Sequence, residues 1–525
     1  MESNVPGEFA VLTDCRELTV RQVIDRGATA HPDRVFAVFP ETERELTWAQ
    51  LREGARRLAV YLASIGLAPG AHVGLLAGNG RLALEVFLGC MYGGFTTVTL
   101  NPVAGQNTLQ YVLDHSEVSI LFTDEANLEA AHGARDQALS AVTVLCVSID
   151  QGLDLPPAGS AEPAAPAPQD DALLIYTSGT TGRPKGVIHS HASLLAGGAN
   201  TVSAHHLNPQ DRALCVLPLC HINGQVVTVI APLLSGSSVV MPHQFGVSKF
   251  WSWVIDNRCT WFSAVPTIIS YLLSSDATGE PAREELAAVR FGRSASAPLP
   301  PVVHEAFVAR FGIPLVETMG ITETAAQILS NPLDHEAHRI GSPGKGCGNQ
   351  VRIANGDIAV DGAHVEAEIQ VRGPNLMRGY LKDSKMTLAA FTTDGWYRTG
   401  DLGCMDEMGY VFVTGRIKEL IIKGGENISP REIDDVIYQF PGVLEAAVVG
   451  IPDTRYGEEV AACVVVSPGA SIVPEALRRH CEEKLGVFKT PKVFHVMNTL
   501  PKGPSGKIQR LKLADAIGEL DTSAV

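Results

Sequence analysis

The chain has 525 residues, of which 45% are hydrophobic and 19% charged, and these values indicate a globular protein of two or more domains. Its formal net charge of −16 argues against non-specific nucleic-acid binding, because a polyanion would be repelled. No apolar stretch approaches the roughly 18 residues of a membrane span, and the N-terminus lacks a signal-peptide pattern, so we expect a cytoplasmic protein.

The N-terminal part alternates predicted strands and helices. Thr47, with Gln50 three residues on, predicts a helix start of the capping-box type, and apolar residues recur at helical spacing up to Gly66. Further strands are predicted at residues 72–77, 96–100 and 119–123, and helices at residues 80–92 and 106–115. Strand–helix–strand units of this length imply parallel strands with helices on the faces of the sheet.

A break in this alternation falls at residues 155–170, which contain five prolines and five alanines. Because such a segment buries little apolar surface, we expect a loop within the N-terminal domain. A domain boundary is predicted after residue 414, dividing the chain into residues 1–414 and a lid domain of residues 415–525. In the lid, Ser429 is predicted to cap a helix, followed by strands at residues 443–451, 459–467 and 492–497 and a helix at residues 474–485.

The sequence YTSGTTGRPKG at positions 176–186 follows an apolar, strand-like run. Its four Ser/Thr hydroxyls, three glycines and one lysine predict a loop around a polyphosphate. Glycines let backbone N–H groups approach the oxygens, hydroxyls add donors, and Lys185 adds charge. A Walker A loop is excluded, because Pro184 and Gly186 stand where its second glycine and its Mg²⁺-binding hydroxyl would lie.

Four further motifs follow in order: MGITET at 319–324, YRTGD at 397–401, GRIKELIIKGGENISP at 415–430 and PKGPSGK at 501–507. With the loop at 176–186, they resemble the adenylate-forming superfamily of acyl-CoA synthetases, luciferases and peptide-synthetase adenylation domains. The resemblance implies an α/β fold with a large multi-layer N-terminal domain and a small mobile α+β C-terminal domain. It also implies that a carboxylate attacks the α-phosphorus of ATP and that the thiol of coenzyme A then attacks the acyl-adenylate.

The resemblance assigns nucleotide-binding roles residue by residue. It implies that the β- and γ-phosphates bind to Thr177, Ser178, Gly179, Thr180, Thr181 and Lys185. Glu323, after Thr322 in the same motif, is implied to bind Mg²⁺, which favours hard carboxylate and phosphate oxygens. Asp401 is implied to bind the ribose, and Arg416 the ribose and phosphate. Met319 stands where the family often has an aromatic residue that stacks on adenine.

The C-terminal motifs imply a moving catalytic lysine. Lys507 lies in a Gly/Pro/Ser turn, and its charge would bridge the attacking carboxylate and the α-phosphate. Lys418 occupies the family's hinge position. Rotation of the lid would then admit coenzyme A along Gly424 and Gly425, for which an ordinary turn is the alternative.

Three segments bear on the acid. LPLCHING at 217–224 resembles the family segment with a histidine near the acyl pocket, so His221 is expected to gate or bind the carboxylate; a core histidine is the alternative. A zinc site beside it would need more ligands than the nearby cysteines offer. FGRSASAP at 291–298 and SNPL at 330–333 resemble the oxalate–CoA ligase branch.

Within these segments Arg293 and Ser294 are expected to bind an anion through charge-assisted hydrogen bonds, although structural pairing of Arg293 is the alternative. The oxalate branch usually has a histidine where this chain has Ala326, followed here by Gln327. The alanine removes a donor and leaves room. We therefore expect a short acid with a second polar or anionic group, such as sulfoacetate or a small dicarboxylate.

Several alternatives stay open from the sequence. The chain could be a stand-alone adenylation enzyme that loads a carrier protein, or a medium-chain acyl-CoA synthetase. A luciferase-like oxygenase, an adenylate-binding sensor without activity and a phosphoryl-transfer ATPase are less favoured. The expected partners are a small acid, ATP and coenzyme A, and the oligomeric state, including a homo-oligomer, is not determined.

Overall fold

The computed structural model describes residues 11–12, 15–155, 161–177, 183–274, 281–503, 508–510, 512–514 and 517. Its helices are α1 (Val20–Ala30), α2 (Trp48–Ser64), α3 (Arg81–Tyr92), α4 (Gln106–Ser116), α5 (Leu128–Gln137), α6 (His191–His205), α7 (Ala231–Ser235), α8 (Val247–Asp256), α9 (Pro266–Ser274), α10 (Pro301–Phe311), α11 (Ser384–Ala389), α12 (Pro430–Ile437) and α13 (Pro474–Lys489). A π-helical segment, Asn223–Ile230, runs directly into α7.

The strands are β1 (Val35–Phe39), β2 (Arg44–Thr47), β3 (His72–Leu76), β4 (Thr96–Thr99), β5 (Ile120–Thr123), β6 (Thr143–Cys146), β7 (Asp171–Thr177), β8 (Lys185–Ser190), β9 (Arg212–Cys215), β10 (Ser238–Val240), β11 (Trp261–Ala264), β12 (Phe291–Ser294), β13 (Leu315–Ile321), β14 (Ala326–Ser330), β15 (Lys345–Gly346), β16 (Gln350–Asn355), β17 (Ile358–Ala359), β18 (Ala367–Arg372), β19 (Gly379–Tyr380), β20 (Tyr397–Met405), β21 (Val411–Arg416), β22 (Ile421–Lys423), β23 (Glu426–Ile428), β24 (Val443–Asp453), β25 (Gly457–Val466) and β26 (Val493–Val496).

Two large sheets dominate the N-terminal part. One has the order β15-β14-β13-β12-β11-β9-β10-β1-β2 and the other β19-β8-β7-β4-β3-β5-β6. The central strands of both sheets are parallel. Antiparallel pairs occur at both ends of the first sheet and at the β19 end of the second, whose other edge strand, β6, is parallel. Parallel strands at the centre need helices on both faces, and α3 is buried over almost its whole length. The strand–helix alternation predicted from the sequence is therefore confirmed.

Helix α2 shows how local sequence fixes an element. Thr47 and Gln50 form the predicted capping box, in which each side chain bonds the backbone N–H of the other. The helix ends before Gly66, whose φ of 91° lies in the left-handed region that glycine adopts without strain. Its buried face includes Leu51, Ala55 and several further residues of the predicted helical spacing.

A third sheet, with the order β17-β16-β18-β20-β21, leads to the C-terminal part. The fourth sheet, β23-β22-β25-β24 with β26 beside β25, carries α12 and α13. Two apolar clusters in this part, one around Ile433 and Val448 and one around Ala461 and Leu513, draw only on residues beyond 420. A small α+β domain with its own core therefore follows the large α/β domain, as the sequence predicted.

The structure bears on two parts of the C-terminal prediction, the helix cap at Ser429 and the domain boundary. Ser429 occupies the N-cap position of α12, but its hydroxyl donates to the Thr414 carbonyl instead of capping the helix, so the predicted capping bond is wrong. The predicted boundary after residue 414 falls inside β21, which continues to Arg416, and stays a prediction. Over the stretches that the structure describes, none of the helices has both the length and the apolar character needed to cross a bilayer.

Candidate functional site

The predicted phosphate loop joins two strands that pair with each other. Thr177 ends β7 and Lys185 begins β8, and these two residues are Cα partners in the antiparallel pair. The two ends of the loop are thus held side by side. The loop residues Ser178, Gly179, Thr180 and Thr181 lie outside the described residues. The ammonium of Lys185 lies 5.1 Å from the ring centroid of Tyr380 on β19.

Tyr380 connects this lysine to the predicted metal ligand. Its hydroxyl donates to Oε1 of Glu323 at 3.0 Å and lies 3.3 Å from the hydroxyl of Tyr397. Burial, and after it the charge of Glu323, raises the pKa of both phenols, so they are protonated at neutral pH. Lys185, Glu323 and two tyrosines that the sequence analysis did not assign therefore form one cluster.

The backbone around Glu323 is fixed from two sides. The N–H of Met377 donates to the Glu323 carbonyl at 2.8 Å. His189 is fully buried, and burial lowers its pKa to about 4, so the ring is neutral. Its Nε2 lies 2.7 Å from the Thr322 carbonyl and its Nδ1 3.1 Å from the Ser193 hydroxyl, so Nε2 carries the proton and donates to Thr322. The motif residues Thr322 and Glu323 thus have a defined position.

The carboxylate of Glu323 fits one mode of metal binding. Among the described residues no group of three or more His, Cys, Asp or Glu side chains could enclose a metal ion. Mg²⁺ that binds with a nucleotide needs only one or two protein carboxylates, because phosphate oxygens and waters complete the shell. A partly exposed single carboxylate near Lys185 suits that mode.

Asp401 and Arg416 form an ion pair at the end of the third sheet. They are Cα partners across β20 and β21, and Nε of Arg416 lies 2.6 Å from Oδ1 of Asp401. Asp401 is buried, and its charge is the main cause of the raised pKa of Arg416. The structure thus pairs two predicted ribose ligands, Asp401 and Arg416.

Met319, at the position predicted to contact adenine, lies in β13 opposite Leu329 and is partly buried.

Arg293 lies at the centre of a buried polar network at the carboxyl end of β12. Its side chain is 1% exposed. Nη1 donates to Asn223 Oδ1 and to Ser263 Oγ, both at 3.0 Å. Nε and Nη2 donate to Oε1 of Gln327 at 3.3 and 3.2 Å. All these acceptors are neutral.

The charge of Arg293 is therefore uncompensated within the described part of the chain. Burial lowers its pKa to about 9, which leaves the guanidinium protonated at neutral pH. Gln327, which holds it, also accepts from Nε2 of His205 at 3.2 Å and donates to the Cys347 sulfur at 3.2 Å. The structure thus contains the structural pairing of Arg293 that the sequence left as the alternative, but the pairing is with neutral side chains. Anion binding by Arg293 stays a prediction.

Two further side-chain atoms are buried and have no hydrogen-bond partner among the described residues: Oγ of Ser294 and Nε2 of His221. Burial lowers the pKa of His221 to about 4, so this imidazole is neutral at pH 7. Asn223, two residues after His221, reaches Arg293. Because buried polar groups are nearly always satisfied, such atoms mark positions where a ligand or water completes the bonding.

Ala326 and Ala325 form a strained turn between the two clusters. Their φ angles of 75° and 44° lie in the left-handed region, which is unfavourable for alanine. A Cβ on Gly320 would come within 1.8 Å of the Ala326 carbonyl oxygen, so only glycine fits there. The turn lies between Glu323 and Gln327 in the chain.

The described C-terminal site residues lie on exposed turns. Gly424 and Gly425 form the exposed turn between β22 and β23, with φ of 59° and 88°, and the N–H of Gly424 donates to the Tyr456 carbonyl. Lys418 is exposed on the 3₁₀ turn between β21 and β22. Lys507 lies outside the described residues.

The sequence analysis missed Tyr380, Tyr397, Asn223 and Ser263. Tyr397 stands inside the YRTGD motif and Asn223 inside LPLCHING, so polar residues within recognised motifs were the available signal. Ser263 has no such signal, because it reaches Arg293 through the parallel pairing of β11 with β12.

Comparisons with known proteins agree with this geometry. Residues 24–381 match the family described as AMP-binding enzyme, and residues 432–507 match the AMP-binding enzyme C-terminal domain. The chain is 46% identical over 501 residues to a sulfoacetate–CoA ligase of Cupriavidus necator, which covers 94% of this chain and 97% of that protein.

More distant relatives cover the chain equally well. An oxalate–CoA ligase of Arabidopsis thaliana is 34% identical over 503 residues, covering 94% of this chain and 97% of that protein. The solved structure of ATP-bound MatB from Rhodopseudomonas palustris superposes with a TM-score of 0.86 at 29% identity, covering 96% of this chain and all of that one. The likeness thus spans both domains.

Proposed function

Since the chain belongs to the AMP-binding enzyme family and is an ATP-dependent acid–CoA ligase, we propose that its acid is a short one with a second anionic group, sulfoacetate being the best example. The reaction joins the acid to coenzyme A and releases AMP and pyrophosphate. The acid is a carboxylate at one end, where AMP and then sulfur become attached, and an anion at the other.

The observation that carries this proposal is the uncompensated charge of Arg293. Its partners in the described chain, Asn223, Ser263 and Gln327, are all neutral. A charge buried without a counter-ion costs several kcal/mol, of order 3–5 when a partner is removed. An anionic group of the substrate supplies the missing charge, with the unpaired Ser294 hydroxyl as a hydrogen-bond donor to it.

The relatives support the same acid class. The names of the sulfoacetate–CoA ligase and the oxalate–CoA ligase both specify a short acid with two anionic groups. The neutral His221 suits the carboxylate end, because its unpaired Nε2 would donate one hydrogen bond without adding a second charge. A long alkyl chain would instead place apolar surface against Arg293, which is unfavourable.

In the first half-reaction the hairpin of β7 and β8 holds the triphosphate through Thr177, Lys185 and the intervening loop. Mg²⁺ would be held by Glu323, whose position Tyr380 fixes, and when bound it neutralises phosphate charge. Asp401 accepts hydrogen bonds from the ribose hydroxyls, with Arg416 beside it. Lys507 stabilises the charge that develops as the carboxylate meets the α-phosphorus.

In the second half-reaction the C-terminal domain turns about Lys418. The thiol of coenzyme A then attacks the acyl carbon, the acyl–phosphate bond breaks, and AMP leaves. The exposed turn of Gly424 and Gly425 is the proposed path of the pantetheine arm, because residues without side chains permit close approach.

The deciding experiment measures pyrophosphate release and acyl-CoA formation across sulfoacetate, oxalate, malonate, acetate, propionate and hexanoate. We expect the highest kcat/KM for a short acid with two anionic groups, sulfoacetate first. Acid labelled with ¹⁸O in the carboxylate must deliver label to AMP. Preference for hexanoate over every dianion would contradict the proposed acid, and ADP as the product would contradict the ligase chemistry.

A further inference from the structure

A lysine of the last sequence motif joins the two domains. Lys502 stands five residues before Lys507 in the same PKGPSGK motif. Its ammonium donates to Oε1 of Glu445 on β24 at 2.5 Å and to the hydroxyl of Tyr271 on α9 at 2.9 Å. One cation thus bonds the small domain and the large domain at once.

We call the bonds of Lys502 to Glu445 and Tyr271 the Lys502 bridge. Its contact within the small domain, to Glu445, is firmly held. Glu445 is only 3% exposed, and β24 is paired with β25 along its length. Burial works against the charge of Lys502, but the bonds to Glu445 and Tyr271 outweigh it, and the pKa of Lys502 is raised. The lysine is therefore charged and aimed by a buried carboxylate.

The large-domain half is made by an aromatic hydroxyl. The ammonium also lies 5.0 Å from the ring centroid of Tyr271, within the range of a cation–π contact. The other side-chain hydrogen bonds between the domains that the structure describes lie near the chain junction, such as Arg431 to the Val413 and Gly341 carbonyls. Lys502 and Tyr271 are 231 residues apart in the chain, so their bond restrains the orientation of the small domain far from its hinge.

We propose that Lys502 and Tyr271 are positioning residues that hold the C-terminal domain in the arrangement used for adenylation. This inference rests on the proposed function, which assigns Lys507 to the first half-reaction. Five residues span at most about 18 Å, so anchoring Lys502 confines the region that Lys507 can reach. The bond must break before the domain turns for thioester formation.

The test is Tyr271→Phe, which keeps the ring and the Lys502–Glu445 pair and removes one hydroxyl. Adenylation, measured as acid-dependent exchange of labelled pyrophosphate into ATP, should fall by about tenfold, the value of one hydrogen bond to a charged group. Thioester formation from preformed acyl-adenylate should stay within about twofold. Tyr92→Phe is the matched control, because its hydroxyl bonds Asp25 inside the large domain, and it should change neither rate.

Lys502→Arg should retain most of the adenylation rate, because a guanidinium can reach both partners. Equal losses in both half-reactions of Tyr271→Phe, or no loss in either, would overturn the proposal. Hydrogen exchange on the full-length protein without substrates gives a readout independent of activity: exchange in residues 266–274 and 493–503 should accelerate in Tyr271→Phe and not in Tyr92→Phe.

Unchanged exchange in those peptides would also overturn the proposal. If the wild-type protein releases no pyrophosphate with any acid, the proposed function fails, and the exchange measurement still decides whether the bridge holds the domains.

Discussion

Two arginines of the candidate site are placed in opposite electrostatic settings. Arg416 bonds the carboxylate of Asp401 at 2.6 Å, and this charge raises its pKa. Arg293 is bonded only by neutral oxygens in the stretches described, and burial lowers its pKa to about 9. The protein therefore compensates one cation itself and, over the described residues, leaves the other without a counter-ion.

This difference matches what each side of the site has to bind. The nucleotide is the same for every acid, and Asp401, the proposed ribose ligand, is held by an ion pair within the protein. The acid is what distinguishes one ligase from another, and an uncompensated buried cation attracts an anion strongly because the surrounding dielectric is low. We expect substitutions at Arg293 to change specificity and those at Asp401 to change activity alike for all acids.

The largest effect is expected for Arg293→Met. Loss of the cation should lower kcat/KM for a short dianionic acid by at least about a hundredfold, following the 3–5 kcal/mol of an unpaired buried charge. The value for propionate, which has one anionic group, should fall by less than about tenfold. Steady-state kinetics with both acids measures the split, and Arg293→Lys, which keeps a charge, should lose less. Equal losses of kcat/KM for both acids would contradict the proposal that Arg293 binds the second anionic group of the acid.

Asp401→Asn should act on the nucleotide instead. The variant weakens both the pair with Arg416 and the proposed ribose contact, so KM for ATP should rise by about 10- to 100-fold. The same factor is expected with every acid in the panel. If the rise in KM for ATP varied strongly with the acid, the proposal that Asp401 and Arg416 act on the nucleotide and Arg293 on the acid would be contradicted.

Stability should depend on pH through His221, the proposed ligand of the acid's carboxylate, because its Nε2 is buried and its imidazole is neutral. Its pKa is lowered to about 4, so as pH falls from about 6.5 the unfolded chain takes up a proton that the folded chain does not. Stability is thus lost on acidification, by about 2 kcal/mol for this group at pH 5. Urea unfolding of His221→Gln should show a loss between pH 7 and pH 5 that is smaller by this amount.

His364→Gln, at an exposed histidine, is the control and should keep the wild-type pH profile. If His221→Gln and His364→Gln lost the same free energy of unfolding between pH 7 and pH 5, the prediction that His221 stays neutral in the folded protein would be contradicted.

The smallest effect is expected for Tyr380→Phe, which removes the hydroxyl that bonds Glu323. The carboxylate keeps its charge and loses one orienting bond, so half-maximal activity should need about threefold more Mg²⁺. Titration of Mg²⁺ at saturating ATP and acid measures this shift. Unchanged Mg²⁺ dependence would mean that Tyr380 does not orient a metal ligand.

Much of the fold followed from local sequence. The capping box at Thr47 and the helix stop at Gly66 depend on residues within a few positions of one another. The parallel strands of the first part were predicted from the alternation of strands and helices along the chain. Ser429 is the instructive exception, since its hydroxyl meets the carbonyl of Thr414 across a domain junction. A tertiary contact there replaced the bond that local spacing predicted.

For the site, too, the sequence identified some residues, and only the structure showed their contacts. Arg293, Ser294 and Gln327 were identified from motifs, but the neutral character of the partners of Arg293 was not. Asn223 lies 70 residues away in sequence and Ser263 lies 30 away, on different elements. Likewise the bond of Tyr380 to Glu323 joins residues 57 apart.

The sequence by itself determined the ligase chemistry, because short motifs, each made of residues close together in the chain, identify the family. Only the tertiary structure decided which charges are balanced. Compensation of Arg416 and isolation of Arg293 depend on distances between elements that are far apart in the chain, and the electrostatic energy of a buried charge is set by those distances and by the exclusion of water.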